Sequence, residues 1–186
     1  MNGSDKENGS KIAANVAVVL LVALVLQSLH EIEHIAQFYQ HWWLGLGAQE
    51  AHGILFFLDV EWNHFIFNAV YFFLLAVIFF FLLFYPEFRS IRQQRIGRIA
   101  FGFFVFGFLL QGYHVIEHTV RMGQFFQLGC TPCPGILGWY IDLVYLHFTI
   151  NSATLLLPAA ILPVLWRKGL LTSERSHLVS SKGVFT

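Results

Sequence analysis

The segment IAANVAVVLLVALVLQSLHEIEH, residues 12–34, joins a nearly unbroken apolar run to two histidines and two glutamates. A helix of about 20 apolar residues crosses a hydrocarbon core of about 30 Å, and lipid offers no partner to backbone groups outside a helix. The apolar run is too long for a cleaved signal peptide, and no clear small-x-small cleavage site follows it. We therefore predict a permanent membrane helix that ends in ionisable side chains.

The composition of the whole chain agrees with a membrane protein. Of its 186 residues, 56% are hydrophobic, only 12% are charged, and 21 are Phe, whereas a soluble domain carries about 25% charged residues. Four segments are long enough to span a bilayer, and they lie at residues 12–37, 64–85, 99–118 and 140–166. Because little chain is left for a soluble domain, we predict an all-α, four-transmembrane-helix bundle.

Lys and Arg residues indicate the orientation of the chain. They cluster before the first helix, between the second and third, and after the fourth, whereas the other two links hold only Arg121. The positive-inside rule then predicts cytoplasmic N- and C-termini. The predicted parts are a tail at 1–11, a helical hairpin at 12–86, a basic link at 87–98, a second hairpin at 99–168 and a tail at 169–186.

The two predicted hairpins share a sequence repeat. QSLHEIEHIAQFYQ (27–40) matches QGYHVIEHTVRMGQ (111–124) at six positions, which include both histidines and the second glutamate. GILFFLDVEWNHFIFN (53–68) matches GILGWYIDLVYLHFTIN (135–151) in its Gly-Ile-Leu start, an Asp five residues before a His, and a closing His-Phe-x-x-Asn. We therefore predict two tandem hairpins related by a pseudo-twofold axis along the membrane normal.

The residues shared by the repeats are mostly polar, although buried ionisable groups are costly in a membrane. Counting about 1.5 Å per residue from the basic borders places four histidines in one layer near the outer boundary of the hydrocarbon. These are His30, His64, His114 and His147. Helical periodicity puts the shared polar residues of each helix on one face. We expect these faces to turn toward each other inside the bundle.

Histidines at i and i+4 with a third imidazole from a neighbouring helix are typical of a metal site. We predict either two related metal sites or one dinuclear centre. The candidate ligands are His30, Glu33, His34 and His64 from the first hairpin and His114, Glu117, His118 and His147 from the second. Such ligands suit iron, zinc, manganese or copper(II). Asp59, Asn68, Asp142 and Asn151 are candidates for orienting the imidazoles. The sequence does not decide which glutamate binds metal and which acts as a base.

The remaining histidines and the cysteines have no counterpart in the other repeat. We interpret His41, His52 and His177 as surface or loop residues. Cys130 and Cys133 lie in GCTPCPG (129–135). A structural disulfide is the first interpretation of this pair, and a redox pair or a soft-metal contact are the alternatives.

Three classes of function follow from these patterns. The first is a membrane metalloprotein, which we favour, with redox or oxygen chemistry on a small or lipid-soluble substrate and iron, copper or zinc as the metal. The second is a haem-binding electron-transfer bundle, and the third is a metal or proton carrier or an accessory subunit. HEIEH and HVIEH also match a zinc-peptidase pattern, His-x-x-Glu-His, but a peptidase needs one site rather than a repeated pair. We expect the lipid bilayer, and either a partner membrane subunit or a second copy, as partners, and no nucleic acid.

Overall fold

The computed structural model describes residues 3–55 and 61–167, and every regular element in these ranges is a helix. The α-helices are α1 (Gly3–Trp42), α2 (Glu61–Phe84), α3 (Arg89–Gln93), α4 (Arg95–Leu128) and α5 (Leu143–Ala159). Two short 3₁₀ turns, Pro86–Phe88 and Leu137–Trp139, lie in the connections. Asp59, His177 and the predicted tail at 169–186 lie outside the described residues.

Four helices of the described ranges are long and apolar enough to cross a membrane. Their spans are Lys11–Trp42, Glu61–Phe84, Arg95–Leu128 and Leu143–Arg167. Each span overlaps one predicted segment, so the prediction of four long apolar helices is confirmed. The helices α1 and α4 extend beyond the predicted segments at both ends. In α4, the added part includes Arg121, which is buried in the bundle.

The four long helices pack in a ring, in the order α1, α2, α4 and α5. The connection that follows α1, described at residues 43–55, and the connection between α4 and α5 (129–142) lie at one end, which we call the loop end. The connection between α2 and α4 lies at the opposite end, which we call the basic end. This arrangement encloses one central axis, and side chains from all four helices meet along it.

Toward the basic end, the axis is filled by apolar side chains. Leu20, Leu75, Phe104 and Ile161 are all essentially inaccessible to solvent and belong to one packed cluster. Phe88, from the link before α3, is also fully buried in this cluster. The basic end is therefore a closed apolar core, and the polar side chains of the bundle lie nearer to the loop end.

The outer surface of the bundle is also apolar. Large side chains such as Phe73, Phe106 and Leu156 are more than 60% exposed. An exposed apolar surface of this kind is unusual for a soluble monomer and fits contact with lipid. The inside of the bundle therefore contains the polar residues that would be most costly to expose to hydrocarbon.

Candidate metal centre

Two pairs of amide side chains lie between the apolar core and the histidines. Gln27 Nε2 donates to Asn151 Oδ1 at 2.9 Å, and Gln111 Nε2 donates to Asn68 Oδ1 at 3.0 Å. All four side chains are fully or almost fully buried. Since buried amides are costly unless they are hydrogen-bonded, each pair ties a helix of one hairpin to a helix of the other.

The same asparagines also contact the histidine one turn before them. Asn68 Nδ2 donates to the carbonyl oxygen of His64 at 2.9 Å, and Asn151 Nδ2 donates to that of His147, also at 2.9 Å. The two asparagines therefore lie directly behind the histidine layer. This is the neighbourhood expected from the sequence for residues that position imidazoles, although these two contacts are made to backbone atoms.

Six buried imidazoles from α1, α2, α4 and α5 form one layer on the central axis. Neighbouring ring centroids in this layer lie between 4.6 and 5.8 Å apart. The six residues are His30, His34, His64, His114, His118 and His147. All the histidines of the repeat thus face each other rather than lipid.

His30, His34 and His64, which we call the first triad, present their Nε2 atoms to each other. His34 Nε2 lies 3.1 Å from His30 Nε2 and 3.4 Å from His64 Nε2. Within the described residues, this is the group whose ligand atoms all lie within 4.8 Å of one another. Three imidazoles bound tetrahedrally to one ion at 2.0–2.1 Å would have nitrogen atoms about 3.3 Å apart. The two distances to His34 Nε2 are close to this value, so the first triad could hold a transition-metal ion.

Gln37 fixes the protonation of one of these imidazoles. Its Oε1 atom lies 2.9 Å from His34 Nδ1. An amide oxygen only accepts hydrogen bonds, so Nδ1 of His34 carries the proton and Nε2 carries the lone pair. Metal-binding histidines commonly have such a partner on the second nitrogen. The Nε2 lone pair of His34 therefore points to where the other two Nε2 atoms converge.

His114, His118 and His147, which we call the second triad, have similar ring spacing but different hydrogen bonds. Their centroids lie 4.6, 5.3 and 5.6 Å apart. Arg121 Nη1 lies 2.6 Å from His147 Nε2, and Asn151 Nδ2 lies 3.3 Å from His114 Nε2. Both ring nitrogens of His118 are buried without a hydrogen-bond partner among the described residues. The two triads thus have similar ring spacing, but different groups contact their ring nitrogen atoms.

Glu33 contacts the loop backbone rather than the imidazole nitrogens. Its Oε2 atom accepts hydrogen bonds from the amides of Ile54 at 2.9 Å and Leu55 at 2.7 Å. Gln40, two turns later on α1, exchanges two hydrogen bonds with the backbone of Gly53, at 2.7 and 2.9 Å. The Gly-Ile-Leu segment is thereby held against α1.

The second hairpin contains the same set of contacts. Glu117 Oε1 accepts from the amides of Ile136 at 2.7 Å and Leu137 at 3.1 Å. Gln124 exchanges two hydrogen bonds with the backbone of Gly135, at 2.7 and 3.0 Å. This geometry favours a role for both glutamates in holding a loop over the metal-ligand or base role that we expected from the sequence.

Asp142 lies at the surface of the loop end. Its Oδ1 atom accepts from the amide of Tyr145 at 3.0 Å, so it caps the start of α5. Its Oδ2 atom lies 3.1 Å from His41 Nε2. Asp142 therefore contacts the start of α5 and His41. The sequence predicts instead that it orients an imidazole of the metal site.

Arg121 and Glu61 lie beside the histidines, and we did not identify either as a site residue from the sequence. Arg121 Nη2 donates to Glu61 Oε1 at 2.6 Å, and both side chains are less than a tenth exposed. A signal was present, because Arg121 follows His114 and His118 at i+7 and i+3, on the same helical face. We had interpreted it as a loop charge because it is the single basic residue of its link.

A cavity of about 90 Å³ connects the loop end with the first triad. His34, His64 and His147 line it together with Arg121 and Glu61, and residues of both loop-end connections also contribute. These include Ala51, His52, Thr131 and Pro132. The disulfide between Cys130 and Cys133 closes the loop that carries the last two. Two imidazoles of the first triad, those of His34 and His64, therefore border a cavity at the loop end.

Fold and site together define a class of protein: an all-helical chain with four helices long enough to cross a membrane and a buried three-histidine cluster that can hold a metal ion. No protein-family model, curated protein or solved structure matches the chain.

Proposed function

We propose that the protein is an integral membrane metalloprotein that binds a transition-metal ion through the first triad and uses it in chemistry on a small molecule. The observation that carries this proposal is the cluster of His30, His34 and His64, whose ligand atoms lie within 4.8 Å of one another, with His34 and His64 also lining a cavity. Three protein ligands leave at least one coordination position open, which is typical of catalytic rather than structural metal sites.

The ligand set narrows the choice of metal. Neutral imidazoles suit zinc, copper and iron, and the chemistry of calcium or magnesium calls for oxygen ligands instead. Iron or copper bound there would supply redox or oxygen chemistry, and zinc would supply a Lewis acid. We propose the redox version, with His34 held in its metal-binding tautomer by Gln37.

The size of the cavity favours a substrate of a few atoms. About 10–15 Å³ of such volume admits one water molecule, so a cavity of about 90 Å³ holds only a few water-sized groups. A porphyrin is far larger than this space. The spacing of 3.1–3.4 Å between Nε2 atoms also does not match two axial ligands on opposite sides of a macrocycle. Both observations favour a bare ion over the haem alternative.

The closed basic end argues against a carrier. A carrier needs a polar path on both sides of its site, as the alternating access of transporters requires. The axis below the histidines is filled instead by fully buried apolar side chains, among them Leu20, Leu75 and Phe104. We therefore propose a site that exchanges molecules with the loop end alone. The distribution of Lys and Arg supports a loop end outside the cytoplasm.

The matching loop contacts of Glu33 and Glu117 support the pseudo-twofold relation between the hairpins. The same donors and acceptors recur at corresponding positions. We propose that a duplicated hairpin gave rise to both halves and that the lipid bilayer surrounds the bundle, with the termini in the cytoplasm.

Metal analysis of the purified full chain in detergent, combined with absorption and electron paramagnetic resonance spectra, tests this proposal. We expect iron or copper in the wild type and a loss of most of it in His30→Ala. His41→Ala is the matched control, because His41 lies at the loop end and pairs with Asp142, and it should retain the metal. Wild-type protein without a transition metal, or an unchanged metal content in His30→Ala, would refute the proposal, and a Soret band would select haem.

A further inference from the structure

We propose that Arg121 takes the place of a second metal ion, so that the second triad holds a guanidinium group and the protein binds one metal ion per chain. This inference rests on the proposed metal site in the first triad. It also replaces the pair of equivalent sites, or the dinuclear centre, that the sequence repeat predicts. Whether an ion can bind the second triad depends on which of its nitrogen atoms have free lone pairs.

His147 has no free lone pair for a metal ion. Its Nδ1 atom lies 2.8 Å from the carbonyl oxygen of Leu143, and a carbonyl oxygen only accepts, so Nδ1 carries the proton. A neutral imidazole then has its single lone pair on Nε2. Arg121 Nη1, which only donates, lies 2.6 Å from that atom. The guanidinium therefore occupies the position from which an ion would bind His147.

A second ring of this triad is also approached by a donor. Asn151 Nδ2 lies 3.3 Å from His114 Nε2, and the same amide group donates to the carbonyl oxygen of His147. In the first triad, by contrast, the contact on His34 comes from the oxygen of Gln37, which leaves Nε2 available. Donors thus face two of three Nε2 atoms in the second triad, whereas the Nε2 atoms of the first triad face one another.

The charge of Arg121 adds to this effect. A guanidinium remains protonated under all ordinary conditions, and repulsion between nearby cations is strong where water is excluded. Glu61 holds it in place, since its Oε1 atom accepts from Arg121 Nη2 at 2.6 Å and both groups are buried. The counterparts of these residues in the sequence repeat are Gln37 and Val144. The ion pair is therefore built on one side of the pseudo-twofold axis, and it makes the two triads different.

The first test replaces Arg121 by the residue at the matching position of the first hairpin. We expect Arg121→Gln to raise the metal content of the purified full chain, saturated with the metal found in the wild type, from one to two ions per chain. Arg121→Lys, which retains a cation, should stay near one, and so should Arg98→Gln, which removes an exposed arginine. A metal content that stays at one in folded Arg121→Gln would overturn the inference.

The second test leaves Arg121 in place and compares histidines at matching positions of the two hairpins. His64→Ala should lose most of the bound metal, at least tenfold in content at limiting concentration, whereas His147→Ala should retain it. An equal loss in both variants would show that both triads bind metal. Two ions per wild-type chain would overturn this inference alone, and no bound ion in the wild type would overturn the proposed function with it.

Discussion

The two hairpins carry the same His-x-x-Glu-His motif, and a comparison of the two copies separates its parts. The glutamate does the same thing in both, since Glu33 and Glu117 each accept two backbone hydrogen bonds from a Gly-Ile-Leu loop. The second histidines differ, because His34 Nδ1 is contacted by the acceptor Gln37, whereas neither ring nitrogen of His118 has a hydrogen-bond partner among the described residues. Sequence similarity between the two hairpins therefore corresponds to the same contacts at the glutamate and to different contacts at the second histidine.

Each hairpin holds its Gly-Ile-Leu segment through three residue types that both hairpins share, and we call this set of contacts the loop clamp. It consists of Glu33, Gln40 and Gly53 in the first hairpin and of Glu117, Gln124 and Gly135 in the second. The glutamate and a glutamine bind the backbone of the loop, and the glycine lets the backbone approach them. Gly53 and Gly135 both have φ of +70°, a region that side chains rarely adopt. A Cβ atom at Gly53 would lie 2.1 Å from Glu33 Oε1. The repeat Gly-Ile-Leu is thus explained by a close approach between loop and carboxylate.

The largest effect that we expect on stability comes from breaking this clamp with Gly53→Ala. The carboxylate of Glu33 is fully buried. It cannot move away from an added Cβ atom without breaking its hydrogen bonds to the amides of Ile54 and Leu55. Backbone strain and overpacking together should cost about 3 kcal/mol. Denaturant unfolding of the detergent-solubilised protein would measure this loss.

Gly45→Ala is the matched control for Gly53→Ala. Gly45 has φ of +72°, but a Cβ atom there would meet nothing within 4 Å. It should therefore show the backbone cost alone, about 1 kcal/mol. If both variants lower the free energy of unfolding by the same amount, close packing between Gly53 and Glu33 does not contribute to stability.

The sequence alone predicted the class of fold and the histidine layer. Four apolar segments and the period of the polar residues sufficed for both, because membrane helices must bury their ionisable side chains. The role of the glutamates was not predictable in this way. Glu33 lies on the same helical face as His30, but its partners, Ile54 and Leu55, are loop amides. Almost every residue has a backbone N–H group, so a donor amide cannot be recognised from the residue type, whereas a side-chain ligand can.

A smaller effect, on metal affinity, should follow from Gln37→Ala. This change removes the acceptor of His34 Nδ1 and leaves the imidazole free to take either tautomer. Loss of such a partner typically lowers metal affinity by about 10–100-fold. Competition with a chromophoric chelator would measure the change in Kd.

Gln49→Ala serves as the control for this measurement, since Gln49 lines the same cavity but is exposed. It should change Kd by less than about threefold, in line with the small effects of most surface substitutions. Equal effects of the two variants would mean that the cavity wall, rather than the tautomer of His34, controls the affinity.

Arg121 lies at a position where the two hairpins carry different residues. The first hairpin has Gln37 there and the second has Arg121. A comparison that considers only identical residues does not select Arg121 as a site residue. The buried ion pair with Glu61 joins residues that are 60 positions apart in sequence. Helical periodicity puts Arg121 on the face of His114 and His118, but its pairing with Glu61 is seen only in the folded bundle.

The smallest effect should come from Tyr113→Phe, which tests a difference between the two clamps. Tyr113 donates its hydroxyl to Glu117 Oε2 at 2.9 Å, whereas the matching residue of the first hairpin is Leu29. Loss of this hydrogen bond should lower the free energy of unfolding by about 1 kcal/mol. Thermal unfolding in detergent has the sensitivity to detect such a change.

Tyr145→Phe provides the reference for that small change, because Tyr145 is 49% exposed and its backbone amide, not its ring, contacts Asp142. We expect its unfolding curve to overlay that of the wild type. The metal content should stay constant in both variants, since neither hydroxyl reaches the first triad. If Tyr113→Phe reduces metal binding while Tyr145→Phe does not, the carboxylate of Glu117 acts on the histidine layer as well as on the loop, and the separation between clamp and site that distinguishes the two hairpins fails.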